Sequence, residues 1–192
     1  MAGGDDGPRV VLLGAPGSGK GTQATILSAR WGVPAISTGE MLREAVAEGS
    51  ELGARVAEIL ASGALVDDDT MAAVVRGRLS WPDAGRGFLL DGYPRTLRQA
   101  ADLDAILRER RMSLDAVVDI AVPVAELLRR AMARGRADDR EEVIRRRLAL
   151  HGETSAPLIG YYRDRSLLRE VAGDRPIGEV TQAISAALAV GV

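Results

Sequence analysis

The chain has 192 residues, a formal net charge of −2 and no cysteine. That length suits one domain with a real core, and 27% charged against 46% apolar residues exclude a disordered chain. The near-neutral charge excludes a general nucleic-acid binder, and the missing cysteines exclude a disulfide scaffold, a thiol nucleophile and a cysteine-ligated zinc.

Residues 1–8 are Gly- and Asp-rich with no basic stretch ahead of an apolar one, so they read as a disordered leader rather than a signal peptide. Arg9–Leu13 (RVVLL) is a β-branched apolar run and predicts a buried strand, followed by a helix over 19–31. A short strand is expected at 35–37, then helices at 39–48, 51–61 and 68–79, broken by Gly49 and Gly63. A second clear strand covers 87–90, and Leu97, Ala100, Leu103 and Leu107 mark a helix over 96–111. A strand at 116–122 ends at Pro123, and helices follow at 124–133, 139–151 and 155–166. A last strand at 168–171 and a helix at 179–189 close the pattern. Strands alternating with helices predict an α/β fold, a doubly wound parallel sheet of five strands with helices on both faces. No apolar run reaches the ~18–20 residues of a membrane span. A cytoplasmic monomer without nucleic-acid or membrane partners is expected.

Of 25 basic residues 24 are Arg, and the one lysine is Lys20. It closes Gly14-Ala15-Pro16-Gly17-Ser18-Gly19-Lys20, a G-x-x-x-x-G-K loop between a strand and a helix. Backbone N–H groups of such a loop converge on phosphate oxygens, the helix N-terminus adds positive potential, and the lysine neutralises the outer phosphates. Gly21 stands where switch-type NTPases need a magnesium-binding hydroxyl, with Thr22 one place later. Asp91-Gly92-Tyr93-Pro94-Arg95 ends a central strand, where ligands of parallel sheets bind. Ser37 or Thr38 suits a helix cap, as does the Asp67-Asp68-Asp69 run before Thr70. Arg145 and Arg146 fit a solvated helix face, and Trp31 and Trp81 fit core or rim positions.

Gly14–Gln23 (GAPGSGKGTQ) resembles the loop of nucleoside monophosphate kinases, adenylate kinases in particular. The resemblance runs through Ser37–Arg43 (STGEMLR), Gly63–Val66 (GALV), Gly87–Thr96 (GFLLDGYPRT, where the family has Phe at 93) and 134–148. It implies a P-loop kinase domain over 1–192, with a helical flap at 37–66 that binds the nucleoside monophosphate and a short lid at 134–140. Long-lid members insert a subdomain there, sometimes with a four-cysteine zinc site, so no structural zinc is expected here. The implied reaction is MgATP + AMP ⇌ 2 ADP. For ATP the resemblance implies Gly17, Ser18, Gly19, Lys20, Gly21, Thr22, Arg130, Arg134 and Gly173. For AMP it implies Thr38, Arg43, Ala64, Leu65, Val66, Gly92, Tyr93, Pro94, Arg95, Gln99, Arg136 and Arg147. Lys20, Arg95, Arg136 and Arg147 are the implied catalytic cations, and Asp91 would hold Mg²⁺ through water. Asp138 and Asp139 suit both a helix cap and an orienting role toward these arginines. His151, where the family commonly has Tyr, reads as a packing residue on the Ile144 and Leu148 face. Glu40, Asp67, Arg140 and Val143 also depart from the family pattern. Thr38 and Thr96 favour AMP over the alternative of a UMP/CMP kinase. A P-loop kinase of a small non-nucleotide metabolite would lack the acceptor motifs at Arg43, Arg95 and Gln99. A non-catalytic nucleotide switch would not need so many arginines.

Overall fold

The computed structural model describes residues 7–134 and 140–189. Five parallel strands form one sheet in the order β2-β3-β1-β4-β5. They are β1 (Arg9–Leu13), β2 (Ala35–Ser37), β3 (Phe88–Asp91), β4 (Ala116–Ala121) and β5 (Leu168–Ala172). The helices are α1 (Lys20–Trp31), α2 (Thr38–Ala47), α3 (Glu51–Ser62), α4 (Asp68–Leu79), α5 (Leu97–Glu109), α6 (Val124–Arg134), α7 (Glu141–Arg163) and α8 (Ile177–Ala189).

The sheet is apolar on both faces because alternate residues of each strand enter opposite cores. Val11 and Leu13 of β1, Phe88 and Leu90 of β3 and Val117 of β4 share a core with α4, α5 and α7. Val10, Leu12, Leu89, Val118 and Ile120 enter the other core, with Ala24 and Leu27 of α1 and Val180 and Ile184 of α8. Each fully buried Leu or Ile contributes roughly 1.5–3 kcal/mol, so the central strands anchor the fold. After β1 the chain runs to β2 and β3 on one side, then crosses to β4 on the other. The carboxyl end of β1 is therefore the switch point of the sheet, where a crevice opens between diverging connections.

One difference from the sequence reading has a physical cause. The helices expected at 139–151 and 155–166 are one helix, α7, with Pro157 inside it. Proline removes one helical N–H bond, a cost of roughly 3 kcal/mol, but Leu158 and Tyr162 just beyond it are buried in the core and hold the helix together. The expected cap at 138–139 lies outside the described residues, and the first flanking residue of α7 is Arg140, in extended backbone with no side-chain cap bond. A short 3-10 turn, Pro82–Arg86, is also present ahead of β3. The Asp67 cap agrees with expectation: its carboxylate accepts from the Thr70 N–H at 2.8 Å. Trp81 is 58% exposed under the Arg78 guanidinium, while Trp31 packs on the second core.

Candidate active site

The loop between β1 and α1 wraps its own lysine. Lys20 Nζ donates to the Gly14 and Ala15 carbonyls at 2.7 and 2.9 Å, so the ammonium sits inside the ring of backbone. Gly17 has φ +88°, and a Cβ there would stand 2.7 Å from the Leu127 carbonyl of α6. Only glycine fits that turn and that approach. Behind the loop, Gln23 ties α1 to α8 by donating to the Ile177 carbonyl and accepting from Thr181.

The end of β3 builds the opposite wall. Gly92 has φ +85°, and a Cβ there would meet Thr38 Oγ1 at 2.8 Å. Arg95 Nε donates to the Gly92 carbonyl at 2.8 Å, which folds the guanidinium back over the turn. The Arg95 N–H donates to Gln99 Oε1 at 2.7 Å, and Gln99 Nε2 donates to Asp68 Oδ1 at 2.8 Å. Thr96 Oγ1 donates to the same Asp68 carboxylate. Asp68 was read as part of a helix cap; it instead orients the Gln99 amide from a neighbouring helix. Burial lowers the Arg95 pKa, Asp91 opposes that shift, and Arg147 and Arg43 add to it. Three guanidiniums therefore face one space.

The α6 and α7 side carries the remaining cations. Arg130 donates to Glu126 Oε1 at 2.5 Å and to the Gly173 carbonyl at 2.9 Å. Bonds from Arg129 and then Arg130 hold the Glu126 carboxyl down at about 2. Arg147 Nη2 reaches the Leu60 carbonyl at 3.3 Å and Arg140 Nη2 reaches Ala61 at 3.4 Å. Both dock on the C-terminal carbonyls of α3, where a helix presents negative potential.

These walls enclose a cleft of about 800 Å³. It is lined by Gly17 to Thr22, by Arg43, by Ala64, Leu65 and Val66, by Asp91, Gly92, Pro94, Arg95 and Gln99, and by Arg130, Arg147 and Gly173. Two expected members stand elsewhere. Tyr93 is fully buried: the turn after β3, with Gly92 at φ +85°, sends its ring into the sheet core. Thr38 is also fully buried, its hydroxyl donating to the Asp91 carbonyl at 3.4 Å beneath the cleft floor. Arg136 and the lid centre lie outside the described residues, as does the side chain of Arg134.

Three lining residues were missed or misread. Asp119 lies within β4 opposite Leu13, the last residue of β1, and lines the cleft; burial first, then Glu170, raises its pKa, while Lys20 lowers it. A carboxylate in the carboxyl half of an otherwise apolar central strand was the available signal. Glu126 orients Arg130 and was legible only as an i, i+4 pair. His151 is a correction. It lines the cleft rather than packing on the Ile144 face, because α7 turns its 147, 151 and 155 positions inward. No group of three or more potential metal ligands exists among the described residues, and no described helix is long and apolar enough to cross a membrane.

A parallel sheet with a glycine loop at its switch point, facing several arginines across one cleft, defines a P-loop phosphotransferase. The adenylate kinase family model matches residues 12–167. The adenylate kinase of Mycobacteroides abscessus is 45% identical over 180 residues, which cover 94% of this chain and 98% of that one. That of Xanthomonas axonopodis pv. citri is 46% identical over 184 residues, 94% of this chain and 98% of its own. That of Thermobifida fusca is 45% identical over 184 residues, 94% and 97%. The chain belongs to the adenylate kinase family and is a phosphotransferase.

Proposed function

We propose that the chain catalyses MgATP + AMP ⇌ 2 ADP as a cytoplasmic monomer. What supports this most is the convergence of Lys20, Arg43, Arg95 and Arg147 on one cleft of about 800 Å³, the upper range for a single small ligand. Two polyphosphates meeting in line repel each other, and the remedy is cations and positioning rather than covalent chemistry. On this reading the loop from Gly17 to Thr22 cradles the ATP phosphates and Lys20 offsets their charge. Arg130, set by Glu126 and Gly173, and Arg134 serve the ATP side. Arg43, Arg95 and Arg147 clamp the AMP phosphate, with Arg136 arriving from the lid. Ala64, Leu65, Val66, Pro94 and Gln99 shape the AMP base pocket, and Gln99 retains one N–H and one lone pair for a base edge. Thr38 and Tyr93 act from beneath, by setting the backbone around Gly92.

Magnesium fits the site by the chemistry of its donors. Asp91 Oδ2 lies 3.8 Å from where a Gly21 Cβ would be, so a hard oxygen faces the phosphate loop across open space. Asp91 would hold Mg²⁺ through water, with Asp119 on β4, across β1 from β3, as a second carboxylate. Bound with ATP, the ion offsets phosphate charge. The flap at 37–66 and the lid at 134–140 close and expel water, which limits wasteful hydrolysis.

The test gives the protein only ADP and Mg²⁺ and follows products by ³¹P NMR. Equal ATP and AMP are expected, a pair that simple phosphate release cannot give. A folded protein that leaves ADP unchanged rejects the reading and directs attention to UMP, CMP or non-nucleotide acceptors.

A further inference from the structure

His151 is the chain's one histidine, and neither the loop, the arginine clamp nor the metal uses it. It lies one turn beyond Arg147 on the inward face of α7, half-buried in the wall of the cleft. Its neighbour one turn on, Thr154, spends its hydroxyl on the Leu150 carbonyl at 2.9 Å. Across the cleft stand Lys20 on α1, Glu40 and Arg43 on α2, Arg95 before α5 and Arg175 before α8, with the carboxylates Asp91 at the end of β3 and Asp119 within β4. From α6, Glu126, Arg129 and Arg130 also reach the cleft, tied to one another. The charged groups of α5 and β5 nearest α7 are engaged at its far end, Asp104 by Tyr161 and Glu170 by Arg163.

We propose that His151 belongs to the phosphate-binding wall: neutral in the free cleft, it takes a proton from solvent as two phosphate chains enter, and faces them as a cation. The inference rests on the two-nucleotide reading above. No nucleotide bond changes in this step; one solvent proton moves to the imidazole. In the free protein, burial and then the charges of Lys20 and Arg95 push the imidazole down to about 4. Incoming phosphates reverse the sign of the field at that point, and a charge-assisted hydrogen bond rewards the protonated ring. The tyrosine usual at this place in the family cannot gain a proton in this way. The wall of this chain therefore gains a cation on binding that a tyrosine would not supply.

Linkage sets the sign. A group whose pKa rises on binding makes binding tighter as pH falls, by up to about tenfold per pH unit between the two values. A single histidine makes the test direct, using untagged protein. Its imidazole Cε1–H resonance is followed against pH by ¹H NMR, alone and with two adenosines joined by five phosphates. Both ends of that mimic are esterified, so its phosphates do not titrate between pH 5 and 7. The imidazole is expected to titrate near 4 in the free protein and at or above its ordinary value of about 6.5 in the complex. Calorimetry at pH 5.5 in two buffers of different ionisation heat should register uptake approaching about one proton, largely lost in His151→Gln and in His151→Tyr. A mimic that binds while the imidazole pKa stays put overturns this inference alone, as does equal uptake in the wild type and both variants. A mimic that does not bind overturns the two-nucleotide reading and this inference with it.

Discussion

Lys20 is a point charge in a chain whose other 24 basic residues are arginines. An ammonium fits within the ring of the Gly14 and Ala15 carbonyls, where a planar guanidinium does not. Lys20→Ala should lower kcat by at least ~10², and Lys20→Arg should not restore it; a change confined to the KM for ATP contradicts the role. Asp68 acts at the same scale through a different logic. It touches no part of the cleft directly but holds Gln99 and Thr96, and Gln99 holds the Arg95 backbone. Losing a hydrogen bond to a charged group costs roughly 1.5–3 kcal/mol, so Asp68→Ala should raise the KM for AMP about tenfold or more. The KM for ATP should stay nearly constant, and equal losses on both sides refute the positioning role. Lys20 was legible because the loop motif is local. Asp68 was not, since its partners lie 28 and 31 residues away.

Helix ends decide how the walls stand. Ser50, Asp67 and Thr96 each cap a helix by accepting a backbone N–H three residues on, and of these the Asp67 cap was read from the sequence, as an acidic run before Thr70. Asp67 opens α4, the helix that presents Asp68 to Gln99. The Thr70 N–H lowers its carboxyl pKa first, with help from the Thr70 side chain. A depressed folded pKa stabilises above the unfolded carboxylate range and is lost as pH falls through the folded value. Asp67→Ala should cost about 1 kcal/mol at pH 7, a Tm shift of roughly 2–4 °C. The gap from wild type should close as acidification protonates the folded carboxylate. A gap independent of pH shows that the cap is not the cause. At α7 local cues misled, because Pro157 and Gly152 mark a break in sequence that core contacts of Leu158 and Tyr162 override.

The whole molecule is a two-core sheet that opens into the cleft at the carboxyl ends of its central strands. Packing places cations from α1, α2, the β3–α5 connection and α7 around one space, a like-charge arrangement that works against stability. It also leaves small debts in the core. The Tyr93 and Tyr162 hydroxyls are buried with no hydrogen-bond partner among the described residues, and burial raises both pKa values. Removing an unpaired buried hydroxyl while keeping the ring relieves a desolvation cost of roughly 1–3 kcal/mol. Tyr93→Phe, the residue common in the family, should leave Tm unchanged or raise it by several degrees, read by thermal unfolding. A clear loss of stability means that the hydroxyl has a partner.

Sequence alone determined the strands, the glycine loop, the Asp91–Arg95 turn and the family, because each rests on residues within a few positions of one another. Alternation in β1, β3 and β4, the glycines of the loop and the capping residues all act through local backbone geometry. Tertiary structure decided what long-range packing controls. It sank Thr38 and Tyr93 beneath the cleft, joined Asp68 to Gln99, put Asp119 beside the phosphate loop and turned His151 into the wall. Those outcomes depend on where separate elements meet, and on the electric field they create together, which no single stretch of chain contains.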